Sequence, residues 1–375
     1  MDLAAEVAAL DAATVEPIVA RAVGRDVVIG EWLTVPFSYQ VTNALSAGIF
    51  RLSGTASDGS DWSVILKVLQ PAYDVLLARF PAESRAELED AYLWDREVRA
   101  YESGLFERLP HGFAAPRALA IDRRSDGSWL WLEDLGVGDA RWDIGRYALA
   151  ARHLGRFNGA FPAGVFDAAW LTRTWLSTWL LTGFGSRAQL VLDNDAIWAH
   201  PYVRAGFASD ARDRLRRVWP GRAAVLARLL ARPQTLCHLD AFRKNLFDRN
   251  GETVAIDWSY VGIAPVGVEV GHLVMGSVAF AEHGHDTPAL AAAALDAYLD
   301  GLRESGWQGD ELAVREGYAL SAIRWVFMLG WLGAVLDPAW QARMEQWAGQ
   351  PLADQVAEAG ARTTYLLDLI DGALS

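Results

Sequence analysis

The sequence predicts an α+β chain of two lobes, a small β-rich N-terminal lobe and a larger, mainly helical C-terminal lobe. Its 375 residues, of which 52% are hydrophobic, suffice for two buried cores. Runs of β-branched and aromatic residues gather between residues 31 and 68, whereas the pattern after residue 147 is mostly helical. We therefore expect the lobes to comprise residues 1–135 and 136–375.

The N-terminal lobe is expected to contain an amphipathic helix followed by strands. Apolar residues recur at helical spacing between residues 2 and 23. Strands are predicted at residues 31–35, 48–52 and 62–68, and Asp58-Gly59 is placed to turn the second strand into the third. A further apolar strand, from residue 128, breaks into a connector near Gly136 to Gly138, where we place the lobe boundary.

Composition excludes several classes of protein. The net charge of −13 argues against a nucleic-acid partner, which would require an excess of Lys and Arg. A single Cys excludes an internal disulfide and a cysteine-based zinc site. The first residues lack the basic start of a secretory signal, and no uncharged apolar run approaches about 18 residues. We expect a cytoplasmic protein without a membrane partner, whereas its oligomeric state cannot be predicted.

The most informative segment lies between residues 237 and 258. His238, Asp240 and Asn245 are followed by Asp257, which ends the apolar run Val254-Ala255-Ile256. Phosphoryl transfer needs one carboxylate facing the acceptor hydroxyl, and a carboxamide and a second carboxylate that hold metal beside the phosphates. Asp240, Asn245 and Asp257 are candidates for these three roles, and their spacing matches a kinase catalytic loop.

These motifs resemble the aminoglycoside phosphotransferase and choline kinase-like superfamily of small-molecule kinases. The resemblance implies a protein-kinase-like fold, ATP and Mg²⁺ as cofactors, and a small hydroxyl-bearing acceptor. It implies that Asn245 and Asp257 hold the metal, that Asp240 is catalytic, and that His238 chiefly holds the loop in shape. The Asp257-Trp258-Ser259 run replaces the Asp-Phe-Gly of protein kinases. Where the family usually has an Asp before a helix, this chain has Glu269, whose carboxylate could accept hydrogen bonds from catalytic-loop amides.

The resemblance also implies a nucleotide site built from the N-terminal lobe. Lys67, in an apolar strand, would bind the α- and β-phosphates, with Glu97 as its partner and Glu89 or Glu102 as alternatives. The long gap between Lys67 and Glu97 predicts an extra helical segment around residues 71–90. Backbone amides near Ser46 to Gly48 would cover the phosphates, although this loop is poor in glycine and an ordinary turn fits equally well. The adenine edge would be bound by the connector Leu132, Glu133, Asp134 and Leu135.

Other polar and aromatic residues allow more than one interpretation. Arg243 and Lys244, inside the catalytic loop, could contact the γ-phosphate or be structural. A polar cluster at residues 282–286 is expected to be a loop rim rather than a metal site. The 17 Trp residues favour core packing over sugar stacking, with Trp175 and Trp179 one helical turn apart. Three carboxylates are candidates to bind a substrate amine: Asp143, Asp193 and Asp195.

Our leading hypothesis is an ATP- and Mg²⁺-dependent phosphotransferase acting on a hydroxyl of an aminoglycoside, aminosugar or amino alcohol. The alternative is a nucleotide-binding pseudokinase with a regulatory role, suggested by the poor glycine loop. A protein kinase is disfavoured because Asp-Trp-Ser replaces Asp-Phe-Gly and no Ala-Pro-Glu follows. The sequence does not distinguish ATP from GTP, or a role in resistance from one in metabolism.

Overall fold

The computed structural model describes residues 3–37, 45–71, 85–136, 138, 141–279 and 286–375. Three sequence predictions fall wholly or partly outside these residues: the start of the phosphate loop, most of the expected extra helical segment, and residues 282–285 of the polar cluster.

A five-stranded antiparallel sheet forms the N-terminal lobe, as the strand pattern predicts. The strands lie in the order β1-β2-β3-β6-β5. Their bounds are β1 Ile29–Pro36, β2 Ser46–Ala56, β3 Asp61–Leu69, β5 Ala118–Arg123 and β6 Ser128–Glu133. Gly59, with φ of 83°, turns β2 into β3, which confirms the hairpin predicted from Asp58-Gly59. In this sheet Lys67 of β3 pairs with Ile49 and Leu130, so its position is fixed from both sides.

Two helices, rather than the single predicted one, pack on the sheet. These are α1 (Leu3–Ala8) and α2 (Ala12–Val23). The break comes at Asp11, whose carboxylate accepts a hydrogen bond from Thr14 N at 2.9 Å and thereby caps the start of α2. Both helices bury apolar side chains in the same cluster as the sheet: Val7, Val15, Ile18, Val19, Phe50, Leu52, Trp62, Val64, Leu66 and Trp131.

Two short helices follow the third strand. They are α3 (Arg85–Ala91), which accounts for the described end of the expected extra helical segment, and α4 (Arg96–Glu102), which carries Glu97. Leu88 and Ala100 pack into the large apolar cluster of the C-terminal lobe rather than into the sheet cluster. The lobe boundary near residue 136 remains a prediction, since the sheet ends at Glu133 but these helices join the second core.

The C-terminal lobe is mainly helical, as predicted. Its helices are α5 Ile144–Ala160, α6 Trp175–Leu181, α7 Gly183–Asp193, α8 Asp195–Ala199, α9 Pro201–Gly206, α10 Ala211–Val218, α11 Arg222–Leu230, α12 Val268–Ala279, α13 Thr287–Glu304, α14 Glu311–Trp325, α15 Pro338–Ala348 and α16 Leu352–Leu374. Helices α5 and α13 touch at glycines, because a Cβ at Gly155 would collide with the Tyr298 carbonyl oxygen and one at Gly301 with that of Arg152. The two helices therefore cross with their backbones in close contact.

Short strands in the C-terminal lobe position the candidate catalytic residues. They are β4 Phe113–Ala114, β7 Gln234–Cys237, β8 Leu246–Arg249, β9 Glu252–Ala255 and β10 Gly262–Pro265. The catalytic loop begins where β7 ends. Strands β8 and β9 form a hairpin whose turn residues Asn250 and Gly251 have φ of 53° and 86°, as a tight two-residue turn requires. That hairpin delivers Asp257 close behind its second strand.

Among the described helices, the segment 311–336 is long and apolar enough to cross a membrane by length and composition. Its most apolar window is 61% buried inside the protein. The segment contains α14 and the 3₁₀ turns Val326–Leu336 that follow it.

Candidate active site

A buried carboxylate shapes the catalytic loop at its first two residues. Glu269, near the start of α12, accepts hydrogen bonds from His238 N at 2.5 Å and Leu239 N at 3.1 Å. Leu239 has φ of 65°, an unfavourable conformation for a branched side chain, so these two bonds hold a strained turn. Burial raises the pKa of Glu269 to about 7, against the effect of the two amides. Glu269 therefore accepts hydrogen bonds from loop amides, as the sequence suggested.

His238 is buried and held in one tautomer. Its Nδ1 accepts from Asp240 N at 3.2 Å, so Nε2 carries the proton and donates to the Ile256 carbonyl at 2.9 Å. The ring lies edge-on against Trp258, with centroids 4.6 Å apart. Burial lowers the pKa of His238 to about 4, so the imidazole is neutral at physiological pH. Its bonds join the catalytic loop to the segment that carries Asp257.

Asp240 and Asn245 lie side by side. Asn245 Nδ2 donates to both Asp240 Oδ2 and the Asp240 carbonyl, each at 2.9 Å. These bonds leave the amide oxygen of Asn245 pointing away from Asp240. Burial, followed by the charge of Asp257, raises the pKa of Asp240 to about 7, which makes its carboxylate a stronger proton acceptor than an ordinary Asp.

Lys67 connects the two lobes through two carboxylates. Its Nζ lies 2.5 Å from Glu97 Oε2 and 2.8 Å from Asp257 Oδ1, and the lysine is 5% exposed. Burial alone would lower the pKa of Lys67, but Asp257 and Glu97 outweigh it and raise the pKa. The pKa of Asp257 is lowered, because the ammonium of Lys67 outweighs burial, which alone would raise it. The structure thus brings together the predicted pair Lys67 and Glu97, whereas Glu102 pairs with Arg123 and Glu89 with Arg85.

The helix carrying Glu97 is tied to the residues after Asp257. Arg96 is fully buried and donates to the carbonyls of Ser259 at 2.9 Å and Trp170 at 2.8 Å. Glu97 accepts a hydrogen bond from Trp258 N at 3.4 Å. Asp257 itself has φ of 60°, so this network also supports an uncommon backbone conformation at the candidate metal residue.

Asn245 and Asp257 retain oxygen atoms that suit a divalent cation. In the described part of the chain, no side chain or amide donates to Asn245 Oδ1 or Asp257 Oδ2, and the Asp257 side chain is 33% exposed. Hard oxygen donors of this kind, completed by water and phosphate oxygens, are what Mg²⁺ prefers. Among the described residues, no group of three or more His, Cys, Asp or Glu side chains is arranged to hold a metal ion. The donor set therefore fits a metal shared with a phosphorylated ligand rather than one caged by protein.

The predicted nucleotide-binding residues lie at the start of β2 and at or just after the end of β6, two interior strands of the sheet, and their roles remain predictions. Ser46 and Gly48 begin β2, where the pairing with β3 shifts register. Leu132 and Glu133 end β6, and Glu133 N already donates to the Arg117 carbonyl at 3.0 Å. The Asp134 carboxylate is bound by Arg51 and by Gly136 N at 2.8 Å. Leu135 follows in irregular backbone and is the better candidate to offer a free amide.

Several other candidate residues already have structural partners. Asp143 caps α5 through Arg146 N at 2.7 Å, Asp193 accepts from Gln189 at 2.9 Å, and Asp195 pairs with Arg212 at 2.7 Å. These contacts hold the three carboxylates in local structure, and their binding of a substrate amine stays a prediction. Arg243 and Lys244 lie in a 3₁₀ turn of the catalytic loop, and a contact with phosphate remains a prediction.

A buried arginine near Asp240 was missed from the sequence. Arg324, in the last turn of α14, is 4% exposed and interacts electrostatically with Asp240. Its guanidinium lies over three indole rings, which we call the tryptophan cluster, at centroid distances of 3.9, 4.6 and 5.0 Å for Trp175, Trp325 and Trp179. The signal that could have found it is a lone charge inside an apolar run, residues 320–329.

The pairing of Lys67 in the sheet with Glu97 on α4, together with the loop after β7, decides the fold. It is bilobal and protein-kinase-like. No protein-family model and no curated protein sequence matches the chain.

Three solved structures are similar over most of this chain. An amicoumacin kinase in complex with AMP-PNP, Ca²⁺ and Ami is 14% identical, with a TM-score of 0.49 over 98% of this chain and 96% of that one. A choline kinase from Cryptosporidium parvum is 11% identical, with a TM-score of 0.49 over 92% and 90%. An aminoglycoside phosphotransferase from Alicyclobacillus acidocaldarius is 18% identical, with a TM-score of 0.47 over 93% of each chain. We base the functional proposal on the side chains of the present chain.

Proposed function

We propose that this protein is a Mg²⁺-dependent phosphotransferase that moves the γ-phosphoryl group of ATP to a hydroxyl of a small polar molecule. The observation that carries the proposal is the convergence of Lys67, Asp240 and Asp257 at one place in the cleft, since Lys67 and Asp257 are 2.8 Å apart and Asp240 interacts with Asp257. An ammonium, a metal-binding carboxylate and a carboxylate that faces the acceptor hydroxyl are the groups that in-line phosphoryl transfer uses.

In the proposed reaction the acceptor oxygen attacks the γ-phosphorus while the bond to the β–γ bridging oxygen breaks. ADP leaves with that electron pair, and the hydroxyl proton passes to the Asp240 carboxylate. Lys67 stabilises the phosphate charge, and Glu97 holds Lys67 in place through its 2.5 Å contact. When bound, Mg²⁺ would neutralise charge on the phosphate oxygens, held by Asn245 and Asp257.

The pseudokinase alternative would be favoured by a missing or displaced catalytic group. Lys67, Asp240, Asn245 and Asp257 are instead present, and hydrogen bonds join them in two pairs. The geometry thus supports turnover rather than binding alone.

The test combines nucleotide binding and ATP consumption. We expect AMP-PNP to bind more tightly with Mg²⁺ than without it, and at least one acceptor to stimulate ADP release in a panel of aminoglycosides, sugars, aminosugars, amino alcohols and hydroxy acids. Asp257→Asn should abolish the Mg²⁺ effect. Asp248→Asn is the matched control, because its side chain is 32% exposed against 33% for Asp257 and contacts Arg146 instead of Lys67. An AMP-PNP affinity that is the same with and without Mg²⁺, together with no turnover of any acceptor, would contradict the proposal.

A further inference from the structure

Arg324 is a buried cation whose side chain lacks a counter-ion in direct contact. Its Nε and Nη1 atoms are buried and have no hydrogen-bond partner among the described residues. None of the ion pairs among the described residues includes Arg324, and Asp240 is the neighbouring acidic group that most stabilises its charge. Because a buried charge without partners is unfavourable, such a group beside the catalytic loop points to a ligand that supplies the missing oxygen atoms.

Indole rings lie against the guanidinium but supply no acceptor for its N–H groups. The tryptophan cluster approaches it closely, with the Trp175 ring centroid 3.9 Å from the Cζ atom. An indole face satisfies part of the positive charge but cannot accept the in-plane N–H bonds. A planar, bidentate oxygen group is the natural partner for such an edge.

Two polar side chains near Arg324 also have buried atoms without a hydrogen-bond partner. The Trp175 Nε1 donor and the His272 Nδ1 atom are also buried without a partner in the described structure. The His272 and Trp175 rings are in edge contact, with centroids 5.0 Å apart, and His272 also lies against Trp325. Three unsatisfied side chains therefore meet around the tryptophan cluster, and two of them are obligatory donors.

We propose that the phosphoryl acceptor carries a carboxylate that binds Arg324 while its hydroxyl lies against Asp240. The substrate class is thus a hydroxy acid, which reverses the charge expected of an aminoglycoside or amino alcohol. An ammonium at this place would be repelled by the buried guanidinium of Arg324. This inference rests on the proposed phosphotransferase function and specifies its substrate.

The first arm of the test compares acceptors that differ only in the charge of one group. Two such triplets are glycerate, glycerol and 3-amino-1,2-propanediol, and glucuronate, glucose and 6-amino-6-deoxyglucose. We expect kcat/KM for the carboxylate member of at least one triplet to exceed that of its neutral and cationic counterparts by about tenfold or more, as for a hydrogen bond to a charged group.

The second arm uses variants of one helix. Arg324→Gln should raise KM for the carboxylate acceptor by about 10- to 100-fold while leaving the KM for ATP within about twofold. The KM of Arg324→Lys for the carboxylate acceptor should lie between those of the unaltered protein and Arg324→Gln. Arg315→Gln is the control, because Arg315 lies on the same helix but is exposed and pairs loosely with Asp296 at 3.5 Å. Thermal melting of each variant shows whether the fold is kept, and the comparison of acceptors on the unaltered protein does not depend on the variants.

The outcomes separate the two proposals. Preference for a neutral or cationic acceptor, or no stimulation by any carboxylate acceptor, would overturn the inference and leave the phosphotransferase function standing if another acceptor is consumed. A rise in KM for ATP instead of the acceptor in Arg324→Gln would also overturn it. Failure to bind Mg²⁺-nucleotide would remove the phosphotransferase proposal itself.

Discussion

Lys67 of β3 donates a hydrogen bond to Asp257, which follows the β8–β9 hairpin, over 2.8 Å. The same ammonium lies 2.5 Å from Glu97 on α4. One buried cation therefore fixes the relative positions of the sheet, the short helix and the metal-binding candidate. In the proposed reaction, the Lys67 ammonium would also contact the nucleotide phosphates, and the Asp257 carboxylate would also bind the metal.

Replacing Lys67 should impair turnover more than folding. Lys67→Met removes a charge that stabilises the transferred phosphoryl group, and we expect kcat/KM to fall by about 100- to 1000-fold. Lys67→Arg keeps the charge but not the compact geometry between two carboxylates, so we expect it to recover only part of the activity. Steady-state kinetics with a thermal melt of each variant test this, and unchanged kcat/KM in Lys67→Met would contradict the assigned role.

Removing the Glu269 carboxylate should destabilise the catalytic loop. Glu269→Ala leaves the buried His238 and Leu239 amides without an acceptor, and we expect a loss of about 3 kcal/mol in the free energy of unfolding. Glu269→Gln retains one acceptor oxygen and should lose less. Denaturant unfolding measures both changes. A fully stable Glu269→Ala protein with unaltered kcat would show that these bonds are dispensable.

Adding a single methyl group at the crossing of α5 and α13 should destabilise the protein. Gly155→Ala and Gly301→Ala each place a Cβ against a backbone carbonyl of the opposite helix, and we expect a loss of about 1–3 kcal/mol. Gly372→Ala is the matched control, because Gly372 is helical, exposed and has nothing within 4 Å of an added Cβ. It should be neutral or stabilising by up to about 1 kcal/mol. Equal effects at the three positions would exclude a steric cause.

His153 should make stability depend on pH. Its ring is buried on α5, where Nδ1 lies 2.9 Å from Thr253 Oγ1, and burial followed by the nearby arginines lowers its pKa to about 4 from 6.5. The unfolded chain therefore binds the proton first as pH falls, and stability present above pH 6.5 is lost as pH falls from 6.5 towards 4.

Between pH 7 and pH 5 this one group should lower the free energy of unfolding by about 2 kcal/mol. The measurement is the difference in pH dependence between the unaltered protein and His153→Asn, because other titrating groups are common to both. Parallel stability curves for the two proteins over this range would contradict a neutral, buried His153.

The sequence predicted those elements and residues that depend on patterns of nearby residues. Alternation and turn residues located β2, β3 and their hairpin, and motif spacing located Lys67, Asp240 and Asp257. The helix expected over residues 2–23 is interrupted, because the side chain of Asp11 caps a new helix start, and periodicity alone does not reveal such a break. Arg324 was missed because its relation to Asp240 arises from helix packing, which no local spacing encodes.

The most direct test of the proposed chemistry is transfer of the γ-phosphoryl group from ATP to an acceptor by Asp240→Asn, measured beside the unaltered protein. Asparagine keeps the size of the side chain but cannot take the hydroxyl proton. We expect kcat to fall by at least about 100-fold, the loss typical of removing general-base catalysis, while Mg²⁺-AMP-PNP still binds with nearly unchanged affinity. Full turnover by Asp240→Asn would contradict the account.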